Sequence, residues 1–263
     1  MSKKTLPCSA EKLAEIAKEF GTPFHIYDEK AIRENARRLH KAFAWAPKFR
    51  EHYAVKALPN PYILEIMKEE GCGADCSSLP ELLLSEAVGI KGEAICFTSN
   101  DTPAHEFAKA KELGAVINLD DITHIEFLEQ NVGLPELISF RYNPGPLREG
   151  GNAIIGHPED AKYGLTHEQV LAGLKICQEK GIRRFGMHTM IVSNELNVDY
   201  LIGTATMMFE LAVEIKEKLG ITLEFVNLGG GIGVPYHPDD EPVDLEAFGE
   251  GVRKEYELSL IHI

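Results

Sequence analysis

Tyr53-Ala54-Val55-Lys56-Ala57 is an apolar run carrying a lysine near its end, followed by the turn-forming Leu58-Pro59-Asn60-Pro61 and a helical pattern from Tyr62 to Glu70. A strand, a turn and a helix in that order form the unit from which parallel α/β folds are built. A lysine inside a buried strand is costly to desolvate as a cation, so it must be paired, used covalently or placed at the strand's open end. Lys56 stands at the carboxyl end, the side of a parallel sheet that carries chemistry. Two readings follow from these residues. Lys56 is a rim lysine held by a carboxylate, or it is a desolvated amine placed to form a Schiff base with a carbonyl.

Working outward, the same unit recurs. Apolar segments at Gly73 to Ser77, Ala94 to Thr98, Ala115 to Leu119, Leu137 to Tyr142, Phe185 to Met190 and Leu223 to Leu228 read as further strands. Helical periodicity fills the intervals at Pro61 to Glu70, Leu79 to Val88, Pro103 to Leu113, Thr123 to Asn131, Thr166 to Lys180 and Val198 to Leu219. This alternation predicts right-handed βαβ units and a parallel sheet. Upstream, Ser9-Ala10-Glu11-Lys12 opens a helix closed by Gly21, Phe24-His25-Ile26-Tyr27 reads as a short strand, and Asp28 caps a helix to about Phe43. Seven repeating strands fit an open doubly wound sheet or a (β/α)8 barrel one strand short, and the count does not separate the two.

No linker or change of composition interrupts residues 1–257, which are read as one domain. Asp244 to Glu257 is a last helical pattern. Leu258-Ser259-Leu260-Ile261-His262-Ile263 is also the in-frame translation of ctg-tct-ctt-ata-cac-atc, a transposase-end sequencing adapter. Residues 258–263 are therefore expected to be a non-native tail.

With 263 residues, 44% hydrophobic and 26% charged, the composition is that of a globular protein. A net charge of -14 argues against a nucleic-acid partner, whose phosphates demand clustered Lys and Arg. No apolar stretch is long enough for a membrane span. Met1-Ser2-Lys3-Lys4 is not followed by the apolar core of a secretion signal, so a cytoplasmic protein is expected. Cys8, Cys72, Cys76, Cys96 and Cys177 lack the paired spacing of a zinc site or a disulfide framework and are read as reduced thiols. No His, Asp and Glu gather at metal-ligand spacing.

Several strand ends carry polar or glycine-rich features. Gly229-Gly230-Gly231-Ile232-Gly233 follows the last strand, where glycines allow backbone N–H groups to crowd round an anion; a flexible turn is the alternative. Val234 occupies the final position of a Gly-x-Gly-x-x-Gly pattern, which disfavours a dinucleotide site. In Gly73-Ala74-Asp75-Cys76-Ser77-Ser78 the serines are candidate helix caps. Arg141 within its strand needs a carboxylate partner, for which Asp75 is the candidate. His188, near the end of Phe185 to Met190, is either a satisfied core histidine or a site residue.

Taken with Arg141-Tyr142-Asn143-Pro144-Gly145, Lys162-Tyr163-Gly164 and Asn227-Leu228-Gly229-Gly230-Gly231-Ile232-Gly233-Val234-Pro235-Tyr236, these segments resemble the fold-type III pyridoxal-phosphate decarboxylases, and within them the diaminopimelate decarboxylase branch. The resemblance runs from Thr22 to about Glu257. It implies an alanine racemase-like TIM-type barrel and pyridoxal 5'-phosphate as cofactor, held covalently by Lys56, with its phosphate cradled by Gly230, Gly231 and Gly233. Asp75 would lie near the cofactor, held by Arg141. The family segment Gly-Leu-His-x-His-Ile-Gly-Ser-Gln corresponds to Gly186 through Asn194. His188 matches its first histidine, Met190 replaces the histidine that stacks on the pyridine ring, and Val192 replaces a glycine. Ser193 keeps the phosphate-contacting hydroxyl, and Asn194 stands in place of glutamine.

The activity implied for the full-length parent is decarboxylation of meso-2,6-diaminopimelate to L-lysine and CO2, in a homodimer acting on a small-molecule amino acid. The family's eighth strand with Glu-Pro-Gly-Arg, its C-terminal β-domain and its Cys-Glu-Ser segment do not occur in residues 1–263. An incomplete barrel without decarboxylase turnover is therefore expected. Ornithine, arginine or carboxynorspermidine as substrate, and a non-catalytic pyridoxal-phosphate-binding barrel, are the alternatives. The Arg141-to-Tyr163 stretch, with its insertion Pro144 to Asp160, favours the decarboxylase.

Overall fold

The computed structural model describes residues 6–46, 48–148, 160, 162–237 and 239–260. Its centre is a sheet of seven parallel strands: β1 (His52–Ala54), β2 (Gly73–Cys76), β3 (Ile95–Ser99), β4 (Val116–Leu119), β5 (Leu137–Tyr142), β6 (Arg184–Thr189) and β7 (Phe225–Asn227). Each strand pairs with the next in sequence, so the spatial order is the chain order. A doubly wound sheet must reverse its order at a switch point, whereas a (β/α) barrel never does. The observed order selects the barrel type.

Helices alternate with these strands: α3 (Pro61–Glu69), α4 (Leu79–Ala87), α5 (Ala104–Glu112), α6 (His124–Asn131), α7 (His167–Glu179) and α8 (Val198–Leu219), preceded by α1 (Ala10–Phe20) and α2 (Glu29–Ala42) and followed by α9 (Leu245–Leu260). Local chemistry sets several boundaries. Ser9 accepts from the Lys12 N–H, Asp28 from that of Ala31, and Thr166 forms a reciprocal capping box with Gln169. Gly220 ends α8 in the left-handed region at φ 69°.

Alternate strand residues face opposite sides of the sheet. On β5, Ile138 and Phe140 are fully buried in the main core, and Phe140 lies so close under Gly173 of α7 that a Cβ there would meet the ring at 3.3 Å. Ser139 and Arg141 belong to the opposite face, in register with Gly186 and His188 of β6. Asp75, Cys96 and Asn118 continue that inner face round to β2. A second apolar cluster joins α2, α8 and α9 through Phe43, Ala205 and Phe248. Gly249 makes it possible, since a Cβ there would lie 2.2 Å from the Ala42 carbonyl oxygen.

Three expectations need correction. Phe24-His25-Ile26-Tyr27 is not a strand: it joins no ladder, although β1, paired only with β2 among the described residues, leaves an edge open. The strand read as Tyr53 to Ala57 stops at Ala54, and Val55–Ala57 forms a 3-10 turn. Neither Ser77 nor Ser78 caps α4 through its side chain accepting a backbone N–H. Instead Glu81 reaches back, accepting from the Ser77 N–H (2.9 Å) and from the hydroxyls of Ser77 (2.9 Å) and Ser78 (2.7 Å). α9 runs three residues beyond Glu257, and residues 261–263 of the expected tail lie outside the described residues, as do 149–159 of the insertion.

Candidate active site at the carboxyl ends of the strands

Lys56 occupies the middle of the turn Val55–Ala57, anchored by fully buried Val55. Ending β1 at Ala54 lifts the lysine out of the ladder, so the side chain is exposed and the desolvation cost of a strand lysine disappears. Among the described residues its ammonium has no ion pair or hydrogen bond. The rim-lysine reading required a carboxylate clasp, and none is present. Asp75 senses Lys56 electrostatically from the neighbouring strand, where Ala54 and Asp75 are in register. Burial nevertheless dominates and raises the Asp75 carboxyl to about 7; the Lys56 charge opposes that rise, Glu81 adds to it, and Arg141 opposes it weakly.

Arg141 is held differently from the sequence expectation. Its Nη1 donates to Oδ1 of Asp120 at 3.0 Å and its Nη2 to the Met190 carbonyl at 3.2 Å, while the Tyr163 ring covers the guanidinium at 5.2 Å. Asp75 is not the partner. It lies on β2, three strand spacings or about 14 Å along the sheet from β5, whereas Asp120 directly follows the adjacent β4. Asp120 could have been found in the sequence by the rule that singled out Lys56 and Asp75: it is a carboxylate directly after an apolar strand.

His188 pairs in register with Arg141 on one side and Asn227 on the other. Burial, reinforced by the Arg141 charge and partly offset by a bond to Asn227, pushes its pKa down to about 3, so the imidazole is neutral. Its Nδ1 is buried without a partner. Met190 follows β6 directly, and Ser193 and Asn194 lie in the connection to α8.

The glycine run is a built turn. Gly229, Gly230 and Gly231 have φ of 79°, 83° and 75°, a region that favours glycine. A Cβ on Gly229 would lie 1.9 Å from the Thr189 carbonyl oxygen, and one on Gly231 2.2 Å from that of Val192, whereas Gly230 faces open space. The Gly229 N–H is taken by Asn227 Oδ1 at 2.8 Å, and that of Gly233 by the Glu195 carbonyl at 2.8 Å. Gly233 is thus removed from the expected set of donors. The N–H groups of Gly230 and Gly231 have no acceptor among the described residues. Adjacent free N–H groups in left-handed backbone form an anion-binding concavity.

Residues 29–260 match the family described as "Pyridoxal-dependent decarboxylase, pyridoxal binding domain". The chain belongs to the pyridoxal-dependent decarboxylases. It is 37% identical over 251 residues to Protein TabA of Pseudomonas amygdali pv. tabaci, covering 95% of this chain and 58% of that protein. To the diaminopimelate decarboxylase of Thermoplasma acidophilum it is 33% identical over 250 residues, covering 95% and 61%. The chain therefore spans about 60% of the length of these relatives. The crystal structure of the M. jannaschii diaminopimelate decarboxylase in complex with L-lysine superposes with a TM-score of 0.85 at 27% identity, covering 95% of this chain and 60% of that one.

Pyridoxal 5'-phosphate is the cofactor that goes with this decarboxylase family, and the residues present fit it. Two unpartnered N–H groups beside an open glycine suit a phosphate, an unclasped lysine amine suits an aldehyde, and the orphaned His188 Nδ1 marks a buried polar position. Among the described residues no three His, Cys, Asp or Glu side chains are placed to hold a metal, and no helix is long and apolar enough to cross a membrane. The four cysteines Cys72, Cys76, Cys96 and Cys177 are buried and unbridged, with burial raising each thiol, so none is poised as a thiolate nucleophile.

Proposed function

We propose that the chain is the cofactor-binding barrel part of a decarboxylase for meso-2,6-diaminopimelate, yielding L-lysine and CO2. The observation that carries the reading is the unclasped Lys56 at the same sheet end as the free N–H groups of Gly230 and Gly231. Pyridoxal 5'-phosphate, when bound, supplies the electron sink that takes up the pair left at the substrate's α-carbon as the carboxylate departs.

The chain's own residues divide the remaining work. Lys56 offers the amine through which cofactor and substrate exchange. Asp75, raised to about 7 by burial, holds or yields a proton beside that amine near neutral pH. Gly230 and Gly231 bind the phosphate through backbone N–H groups, with Ser193 nearby as a hydroxyl donor. His188 stays neutral, and Arg141, fixed by Asp120, keeps a positive charge at that end of the sheet. Met190 would offer a thioether to the cofactor ring where the family uses histidine.

The part of the relatives' length that this chain does not span would supply the eighth strand, the β-domain and the partner-subunit contacts of a cytoplasmic homodimer. A different amino-acid substrate is the second reading, favoured by the Met190 departure and by the similarity to Protein TabA.

Borohydride reduction of the chain mixed with pyridoxal 5'-phosphate, followed by peptide mass mapping, is expected to place the label on Lys56; label elsewhere overturns the assignment. Among diaminopimelate, ornithine and arginine, meso-diaminopimelate is expected to perturb the bound cofactor's absorbance at the lowest concentration.

A further inference from the structure

Asn194 is the only non-glycine residue with positive φ among the described residues, at φ 54°. Left-handed backbone is strained for an ordinary side chain, and asparagine tolerates it best after glycine. Its place explains the strain. The connection from β6 to α8 runs alongside the glycine turn and is sewn to it by three hydrogen bonds. The Glu195 N–H donates to the Gly231 carbonyl at 2.8 Å, the Gly233 N–H to the Glu195 carbonyl at 2.8 Å, and the Val234 N–H to Asn194 Oδ1 at 2.9 Å. Glu195 and Ile232 form a parallel bridge between the two segments. The contact is close enough that a Cβ on Gly233 would lie 2.8 Å from the Asn194 carbonyl carbon.

Only the third of these bonds depends on a side chain. The left-handed turn at Asn194 brings Oδ1 onto the Val234 N–H and also sends the chain on to Glu195 in the direction that pairs with Gly231 and Gly233. Gly231 opens the segment so tied and Gly230 directly precedes it, and the N–H groups of both are free among the described residues.

We propose that Asn194 is a positioning residue for the cofactor phosphate: it fixes the backbone of residues 231–234 so that the Gly230 and Gly231 N–H groups converge on one anion. This rests on the reading of the glycine turn as the phosphate site given under Proposed function. The Asn194 Oδ1 is engaged by the Val234 N–H, so its effect is expected to fall on the phosphate.

The test compares dissociation constants of the 263-residue chain for pyridoxal 5'-phosphate and for pyridoxal, which lacks the phosphate. Asn194→Ala removes the latch and strains the turn. Asn194→Gly removes the whole side chain with its Oδ1 while tolerating the left-handed backbone, so it remains informative if the alanine variant folds poorly. Loss of one hydrogen bond predicts about 3- to 10-fold weaker pyridoxal 5'-phosphate binding by Asn194→Gly, with pyridoxal binding unchanged. Equal weakening for both ligands, or none for either, overturns the positioning role. Wild-type chain that binds the two ligands equally overturns the phosphate site itself, and the role of Asn194 with it.

Discussion

The carboxyl ends of β5, β6 and β7 and those of β1 and β2 belong to one parallel sheet, yet they are built on different principles. On the β5–β7 side the groups that frame the free Gly230 and Gly231 N–H groups are tied: Arg141 to Asp120 and the Met190 carbonyl, Gly229 to Asn227, Gly233 to Glu195, and Val234 to Asn194. On the β1–β2 side Lys56 has no bond among the described residues, and Asp75 is buried with its charge opposed chiefly by burial itself. The tied side suits a group that must be held in one place, as a phosphate must. The untied side suits groups that exchange partners and protons.

The comparison can be broken at its strongest point first. Asp120→Ala leaves the Arg141 guanidinium, whose side chain is 14% exposed, without its 5%-exposed counter-ion. Breaking a buried pair by removing one partner costs about 3–5 kcal/mol. Urea denaturation should show a loss of that order; a change within measurement error would mean that Met190 and Tyr163 suffice to hold Arg141.

A smaller effect is expected on the other side, from Glu51 just before β1. Burial, followed by the charge of Asp75, raises its carboxyl from 4.5 to about 7. The folded chain thus keeps a proton that the unfolded chain has released, so this group's contribution to stability falls as pH rises from about 4.5 to about 7. Glu51→Gln removes that titration, while Asp75, with the same sign, and His188, with the opposite sign, stay in both proteins. The variant should therefore gain stability over wild type steadily across that window in denaturation series at several pH values. Parallel profiles would show that Glu51 titrates normally.

The smallest effect tests the unclasped lysine. Lys56→Ala removes a side chain without a partner and should change the stability of the cofactor-free chain by no more than about 0.5 kcal/mol. A loss well above that would reveal a clasp on Lys56 and erase the difference between the two sides.

The sequence by itself determined the repeating β–α units and most element boundaries, because hydrophobic periodicity and caps are local. β5 at Leu137–Tyr142 and α8 at Val198–Leu219 coincide with their sequence readings. It also placed the polar residues at strand ends and the glycines where left-handed backbone is required, since both follow from short-range sterics and desolvation. Only the tertiary structure decided between an open sheet and a barrel, because strand order is a matter of which distant segments pair. Phe24-His25-Ile26-Tyr27, strand-like in its residues, joins no ladder even though β1 leaves an edge open, so local pattern alone does not make a strand. Partnership was likewise not local. Arg141 takes Asp120 because β4 is adjacent to β5, and Gly233 loses its free N–H because a segment almost forty residues earlier in the chain lies against it. A side chain's chemical type is written in the sequence, but what saturates it is set by distance in the folded chain.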